Sequence, residues 1–535
     1  MPANHPALCA LPIAARQALE QALAGEAALR LAMDARLLAT EGRLLTTEGR
    51  LSASEQRVKI LEAELRLLRV QKFGPKSEAL NDAQLALLDL EPSVTTGEVA
   101  AEGAGVLPEK APSTRRHPGR TELPAHLPRI GKIIVCTPAQ CLCTQCGQER
   151  RVIGYDECEE LDRKPLEYFV SVIRREKRAC PRCEEAGVAT APVPLKIIEK
   201  GKASDRIVVD VLVGKYADHL PLYRQEAIFE RDCGVRFSRQ TLCGWVMQAG
   251  GFLEAVSRAM RADLLGGTYI QADETPVGVQ GPGTQGHNHS GYLWEYSRPG
   301  GTVVFDFRMN RKRAGPVAFL GSFAGVLQSD GYVAYRNLGG PGLVFAGCWA
   351  HARRGFADTL KTCRGDPAAT EMLGLIARLY AVESRARAQG ASAEERLAMR
   401  QAHSVPLLAV IKDRLVALRQ AALPAGGVGK ACDYALGQWE RLTVYAGNGE
   451  VEIDNNWCEN AIRPLALGRR NWLSIGSEEA GPRVAAIASV FETCRRLGIN
   501  VREYLLSVLP RLPTWPAARV GELTPAAWLA SQPAR

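Results

Sequence analysis

Apolar residues return in step from Leu37 to Leu68: Leu37, Leu44, Leu51, Val58 and Leu65 occupy position a of a heptad, and Thr40, Thr47, Ser54, Leu61 and Leu68 occupy d. Glu41, Glu48, Glu55 and Glu62 fall at e, with Arg43, Arg50 and Arg57 at g, so a parallel dimer would set Arg43 against Glu48, Arg50 against Glu55 and Arg57 against Glu62. The pattern predicts self-association through a coiled coil, while the polar d positions leave open a single amphipathic helix folded on its own chain. Gly74 and Pro75 end this helix near Phe73. Residues 91–128 are rich in Pro, Gly, Ala and Thr, carry Arg115, Arg116 and Arg120, and have no period, which predicts a linker. Helical spacing resumes in DRIVVDVLVGKYADHL, PLYRQEAIFERDC and SRQTLCGWVMQAGGFLEAVSRAM, where a turn at Gly234 and a cap at Ser238 separate the last two as in a helix-turn-helix.

After Gly266 and Gly267 the period changes to two. TYIQADETPVGV is expected to be a strand ending in Asp273 and Glu274 just before Pro276; GYLWEYS and TVVFDFRM follow as strands, AGPVAFLGSF as a helix, and then GVLQSDGYVAYRNL, whose apolar strand ends in Asp330, followed by Gly331. Three strands, a helix and a fourth strand, with an acid at the end of the first and fourth, match a ribonuclease H-like layout. Farther on, Asp454 or Asn455 can cap a helix that carries Glu459 and Arg463 four residues apart, buries Ala461, Ile462 and Leu465, and holds Glu459 on its wet side. Arg463, Arg469 and Arg470 follow as groups suited to phosphate oxygens.

Converging carboxylates repel one another unless cations neutralise them, and oxygen donors of this kind suit Mg²⁺ or Mn²⁺. Two such ions about 3.5–4 Å apart activate a water or a 3′-hydroxyl for in-line displacement at phosphorus. Asp273 is then expected to bridge both ions, with Asp330 and Glu459 each completing one site. Taken singly, Asp273 also reads as a turn residue, Asp330 as an Asp-Gly hairpin corner, and Glu459 with Arg463 as a solvated ion pair.

Composition adds a zinc module and a weak electrostatic hint. Cys143 with Cys146 and Cys180 with Cys183 form two CxxC turns, four thiolates suited to a structural zinc; strand-like EYFVSVIRREKRA leads into the second, and Cys136, Cys141 and Cys158 are possible substitutes. Fifteen cysteines in a chain with no secretory pattern at its start read as thiols or metal ligands rather than disulfides. Lys and Arg number 67 against 58 Asp and Glu, a net +9 compatible with a polyanionic partner, and no apolar run is long enough to span a membrane. A cytoplasmic, nucleoid-associated location is expected. Arg236, Arg239 and Gln240 sit at the start of the second helix of the hairpin, where a recognition helix meets DNA; a plain packing hairpin is the alternative. His287 and His289 are expected in an exposed hairpin loop.

The segments QADETPV, LQSDGYVAY, GCWAHARRGF and IDNNWCENAIRPLALGRRNWLSIGSEEAG closely resemble the insertion-sequence-sixty-six family of bacterial DDE transposases. The likeness extends to KFGPKSE, the CxxC pair, HLPLYRQEAIF and TCRRLGINVREYLLSVLP. It implies Asp273, Asp330 and Glu459 as the catalytic triad, a zinc-binding domain before the catalytic one, strand transfer at the inverted terminal repeats of a mobile element, and, since family members often sit beside small companion open reading frames, small accessory proteins as candidate partners. Asn460 stands where the family often has Arg. Cys348 and His351 resemble a Cys/His element that several DDE superfamilies place after the second acid; a positioning role beside the active site is expected, with core packing of Cys348 as the alternative. The expected organisation is a helix or coiled coil over 1–90, a linker over 91–128, a zinc-binding domain over 129–203, a helix-turn-helix over 204–262, a catalytic domain over 263–490 with inserted helices at about 366–440, and a C-terminal element over 491–535. Two other readings stand beside a transposase: a catalytically silent, zinc-containing DNA-binding protein, and a nuclease that cuts without joining.

Overall fold

The structure is a computed structural model. It describes residues 168–533 apart from 180–187, 193, 200, 282–287, 336–337, 339–341 and 424, and scattered positions between 15 and 58. Most of the heptad, the linker, His287, the four paired cysteines and Cys136, Cys141 and Cys158 lie outside the described residues. Of EYFVSVIRREKRA, only the end is a strand: β1 (Lys177–Ala179) pairs antiparallel with β2 (Val188–Thr190).

Three helices come next, α1 (Asp205–Tyr216), α2 (Leu222–Cys233) and α3 (Arg239–Leu265). Gly234 takes φ 68°, a conformation that costs glycine little, and Ser238 accepts a hydrogen bond from Thr241 N at 3.2 Å, so the α2–α3 turn forms as its residues dictate. Phe229, Phe237 and Trp245 stack edge to face across the turn, with centroids 5.5 and 5.0 Å apart.

The central sheet has six strands: β3 (Tyr269–Val279), β4 (His289–Ser297), β5 (Val303–Arg308), β6 (Val326–Gln328), β7 (Val344–Ala346) and β8 (Ser474–Ile475). Its order is β5-β4-β3-β6-β7, antiparallel from β5 to β3 and parallel from β3 to β7, with β8 joining β3 farther along. Helix α4 (Ala314–Leu320) falls between β5 and β6 as its sequence implies. β3 does not end at Glu274; it runs through Pro276 to Val279. Pro276 is tolerated because β6 pairs only with Tyr269–Gln271 and β8 only from Gly278, so no strand lies beside β3 on that edge at Pro276.

Around the sheet lie α5 (Trp349–Thr362), the inserted helices α6 (Pro367–Ala388), α7 (Ala393–Met399), α8 (Val405–Ala421), α9 (Gly427–Gly437) and α10 (Trp439–Thr443), then α11 (Asn456–Trp472), α12 (Ala480–Arg496), α13 (Val501–Val508) and α14 (Pro525–Ala530). One apolar core joins α1, α3, α11, α12 and α13 to the sheet; a second joins α5 to the inserted helices and reaches the sheet at Tyr269, Val326 and Ala346. Edge strand β5 finds hydroxyl partners on α12 instead of another strand: Phe305 N donates to Ser489 Oγ at 2.8 Å and Val303 N to Thr493 Oγ1 at 3.0 Å. No helix among the described residues is long and apolar enough to cross a membrane.

Candidate functional site

Gln271 on β3 pairs in parallel register with Gln328 on β6, and each lies two residues ahead of an acid, Asp273 and Asp330. Side chains alternate along a strand, so each acid follows its glutamine on the same side, one step beyond the last paired residues. The paired stretch ends there, and the segment that leads into α11 bonds to both strands, at Asp454 O and Glu452 O. Asp273 and Asp330 are half-buried, whereas Glu459 in the first turn of α11 is only 5 % exposed. The wet-side expectation for Glu459 is therefore corrected: packing turns the carboxylate into the crevice. Burial first, and then the charges of Glu274, Asp330 and Glu459, push the Asp273 carboxyl well above the usual range.

Buried amides fix how α11 enters. Gln271 Nε2 donates to Asp454 O at 2.8 Å, and Gln328 Nε2 donates to Glu452 O at 2.8 Å and Gly347 O at 2.9 Å. Asn455, the N-cap residue, sends Nδ2 to Ala272 O at 3.2 Å and its backbone N–H to Cys348 Sγ at 3.3 Å, while Asp454 Oδ1 accepts from Asn456 N at 3.2 Å. Between them the two residues tie the helix start to the acid-bearing strand and to the CWAH turn. Pro464 inside α11 cannot bond the Asn460 carbonyl, and Arg495 Nη2 donates to that oxygen instead at 3.4 Å. Gln271 and Gln328 have a sequence signal only in hindsight: the repeated Gln-x-Asp of QAD and QSD marks both strands.

Cys348, His351 and Glu459 present ligand atoms within 4.8 Å of one another, with His351 Nδ1 3.9 Å from Glu459 Oε1. The Cys/His pair thus has a carboxylate beside it, and the three together could hold a metal ion. Glu274 is a fourth carboxyl: its side chain is 1 % exposed, pairs with the Arg311 guanidinium, and accepts from Tyr335 Oη at 2.8 Å. Arg311 also lies 3.7 Å over the Tyr332 ring, just past Asp330.

The basic residues divide. Arg469 Nη1 donates to Thr275 Oγ1 at 2.9 Å and to the Pro276 carbonyl, which puts it to structural use on β3, while Arg463 is half-buried and Arg470 exposed. Arg236 is exposed and pairs with Glu226 at 3.3 Å; Arg239 and Gln240 are exposed at the start of α3. His289 is exposed at the first position of β4.

Directly across from Asp273 on β4 stands Glu295, fully buried, with the Cys458 thiol donating to it and Arg496 at 3.9 Å. Burial pushes this carboxyl up to about 8 against the pull of Arg496. A carboxyl raised in the folded state stabilises it most below its unfolded pKa, and that contribution is lost as pH rises through the folded one. Stability should fall from about pH 4.5 to about pH 8 on this account, and Glu295→Gln should flatten that part of a denaturation-versus-pH curve. An unchanged slope would mean that Glu295 does not cause it.

A mixed sheet with an acid just beyond the paired ends of two parallel strands and a third acid on the helix packed against it defines the class, an α/β protein with clustered carboxylates. The chain belongs to the IS66 transposase family: residues 200–483 match the family model described as Transposase IS66 family. Further models match residues 140–184 (zinc-finger binding domain of transposase IS66), 489–526 (IS66 C-terminal element) and 60–131 (Transposase C of IS166 homeodomain). The zinc-finger match spans Cys143, Cys146, Cys180 and Cys183 and supports a structural zinc. Among relatives, the chain is similar to the Sinorhizobium fredii protein y4qI, 34 % identical over 86 % of this chain and 87 % of that one, and to y4hP of the same organism, 31 % identical over 86 % of each.

Proposed function

We propose that the protein is a metal-dependent DNA transposase that cleaves and joins the ends of an insertion sequence by phosphoryl transfer in a ribonuclease H-like domain. One observation carries the reading: the paired glutamines Gln271 and Gln328, each two residues ahead of an acid, hold the carbonyls of Asp454 and Glu452, so the strands that lead to Asp273 and Asp330 are tied to the segment that launches the helix bearing Glu459. Strand order, with three antiparallel strands, a helix and two parallel strands, supports the fold assignment.

The donor set fits divalent ions. A Glu459 that is 5 % exposed beside an Asp273 crowded by other carboxylates is an arrangement that a hard cation relieves, and Asp273, Asp330 and Glu459 would hold it. Two bound Mg²⁺ or Mn²⁺ ions supply activation of the attacking oxygen and stabilisation of the leaving one. Arg463 and Arg470 orient the phosphate backbone, Arg236, Arg239 and Gln240 meet duplex DNA through α3, and the N-terminal heptad joins copies of the chain. Small accessory proteins of the element are further partners in this reading.

The test uses the full chain, duplexes bearing the terminal repeats that flank its gene, free 3′-hydroxyl ends, and Mg²⁺ or Mn²⁺. Joined product is expected. Hydrolysis alone would leave the nuclease reading, and tight binding with neither reaction would leave a silent DNA-binding protein.

A further inference from the structure

α11 carries Glu459 at one end and, roughly 20 Å along at ~1.5 Å per residue, Trp472 at the other. Beside Trp472 opens a cavity of about 850 Å³, bounded by the end of α1, the start of α2 and of α3, and the turn into β8. Its lining is mainly apolar, with Lys215, Tyr223, Arg239 and Gln240 among the polar and aromatic groups.

Three features set this cavity apart from a packing defect. Leu473, at its edge, holds φ 64° and is 71 % exposed. With ψ at −52° this lies outside the left-handed helical well, in a sparsely populated region that costs a leucine on the order of 1–3 kcal/mol, and the apolar side chain stands in water. His219, at φ 57°, is the other non-glycine residue at positive φ among the described ones. Gly468 gives the reason for its place: a Cβ there would lie 2.6 Å from Trp472 Nε1 and 3.1 Å from His219 Nδ1, so histidine and indole press against the same point of α11. The third feature is Lys215, whose Nζ lies 5.3 Å from the Trp472 ring centroid and 5.4 Å from that of Tyr216 and meets no carboxylate among the described residues. Burial lowers its ammonium to about 8, so an anion at the cavity would be welcome.

We propose that Leu473 and this cavity open the DNA end: the leucine enters the base stack as a wedge, and the cavity receives the displaced base against Trp472 and Tyr223. Exposed apolar wedges unstack base steps, and aromatic faces accept any base. Lys215 and Arg239 then hold the adjoining phosphate. A span of about 20 Å is about six base-pair steps at ~3.4 Å each, which places the opening that far from the scissile phosphate. The inference rests on the proposed DNA chemistry at Asp273, Asp330 and Glu459 and adds a second contact to it.

The experiment scans terminal-repeat duplexes with 2-aminopurine at each of the first ten or so positions of either strand, bound to the full chain; this base fluoresces more strongly once it leaves the stack. A several-fold rise is expected at one position near the sixth base pair. Leu473→Gly should abolish it without harming the fold, since glycine adopts φ 64° freely; its melting temperature should equal or exceed that of the parent. Tyr223→Ala, at an exposed site, should weaken the signal. Because unstacking costs a few kcal/mol, an abasic site at that position should tighten binding by roughly ten-fold. Cleavage by the parent protein with no fluorescent position, or a full signal in Leu473→Gly, would overturn the wedge and leave the proposed function standing. Absence of cleavage at any end with either ion would remove both.

Discussion

Glu459→Gln should reduce strand cleavage and joining on the order of a thousand-fold or more, with DNA binding in gel-shift titrations unchanged. The substitution keeps the shape of the side chain and removes one anionic oxygen from the crevice. In the metal-free protein it should stabilise the fold by about 1 kcal/mol, because Asp273 loses one of the charges that oppose its ionisation. Such opposite effects on activity and stability are the mark of a site held together against repulsion. Added Mn²⁺ should then raise the melting temperature of the parent protein and leave that of Glu459→Gln where it was, since only a state that binds the ion gains from it. Turnover at the parental rate would dismiss Glu459 as a ligand.

Arg400→Met should cost about 3–5 kcal/mol, the range for breaking a buried ion pair by removing one member. Arg400 is fully buried: its Nε and Nη2 donate to the two carboxylate oxygens of Glu383 at 2.8 Å each, and its Nη1 to Tyr445 O at 2.8 Å and to the Asn448 carbonyl. The five residues Arg400–Ser404 between α7 and α8 form a single π-helical turn, a local widening of the helix at the point where this side chain turns inward. Glu383 is shared with Arg396, whose guanidinium also grips Glu452, at 2.6 Å in its closest contact. Glu452 is pushed up by burial and pulled further down by Arg396 and Arg387, so it ends below the usual range. Its carbonyl is the one that Gln328 holds. The network thus runs from the inserted helices to the segment that launches α11, and its loss should reduce strand chemistry as well as stability. Chemical denaturation of Arg400→Met, compared with the double variant Glu383→Leu/Arg400→Leu, separates the two effects of the pair: the double variant should recover much of the lost stability, because no charge is left buried alone. A cost under about 1 kcal/mol for the single variant would mean that the inserted helices are held by apolar packing.

Local structure was largely legible from neighbouring residues. The alternation of TYIQADETPVGV, GYLWEYS and TVVFDFRM specifies β3, β4 and β5, and the serine and glycine flanking the second and third helices specify their ends, because a strand face or a cap depends on residues within a few positions. Strands β7 and β8, three and two residues long, carry too little pattern to be read that way. Pro276 looked like a strand end and is not one, since whether a missing N–H matters depends on which strand lies alongside.

What the sequence by itself determined is most of the helices and the longer strands, the three acids it offers and the long motifs that ally it with the IS66 transposases. Tertiary structure alone decided that Gln271 and Gln328 share a register, that Glu459 faces inward, that Glu274 is matched by Arg311, and that a strained Leu473 stands exposed beside a cavity. The physical reason is range. Propensity and periodicity are properties of a few adjacent residues, whereas each of these features depends on partners far apart in the chain, brought together by burial of two apolar cores.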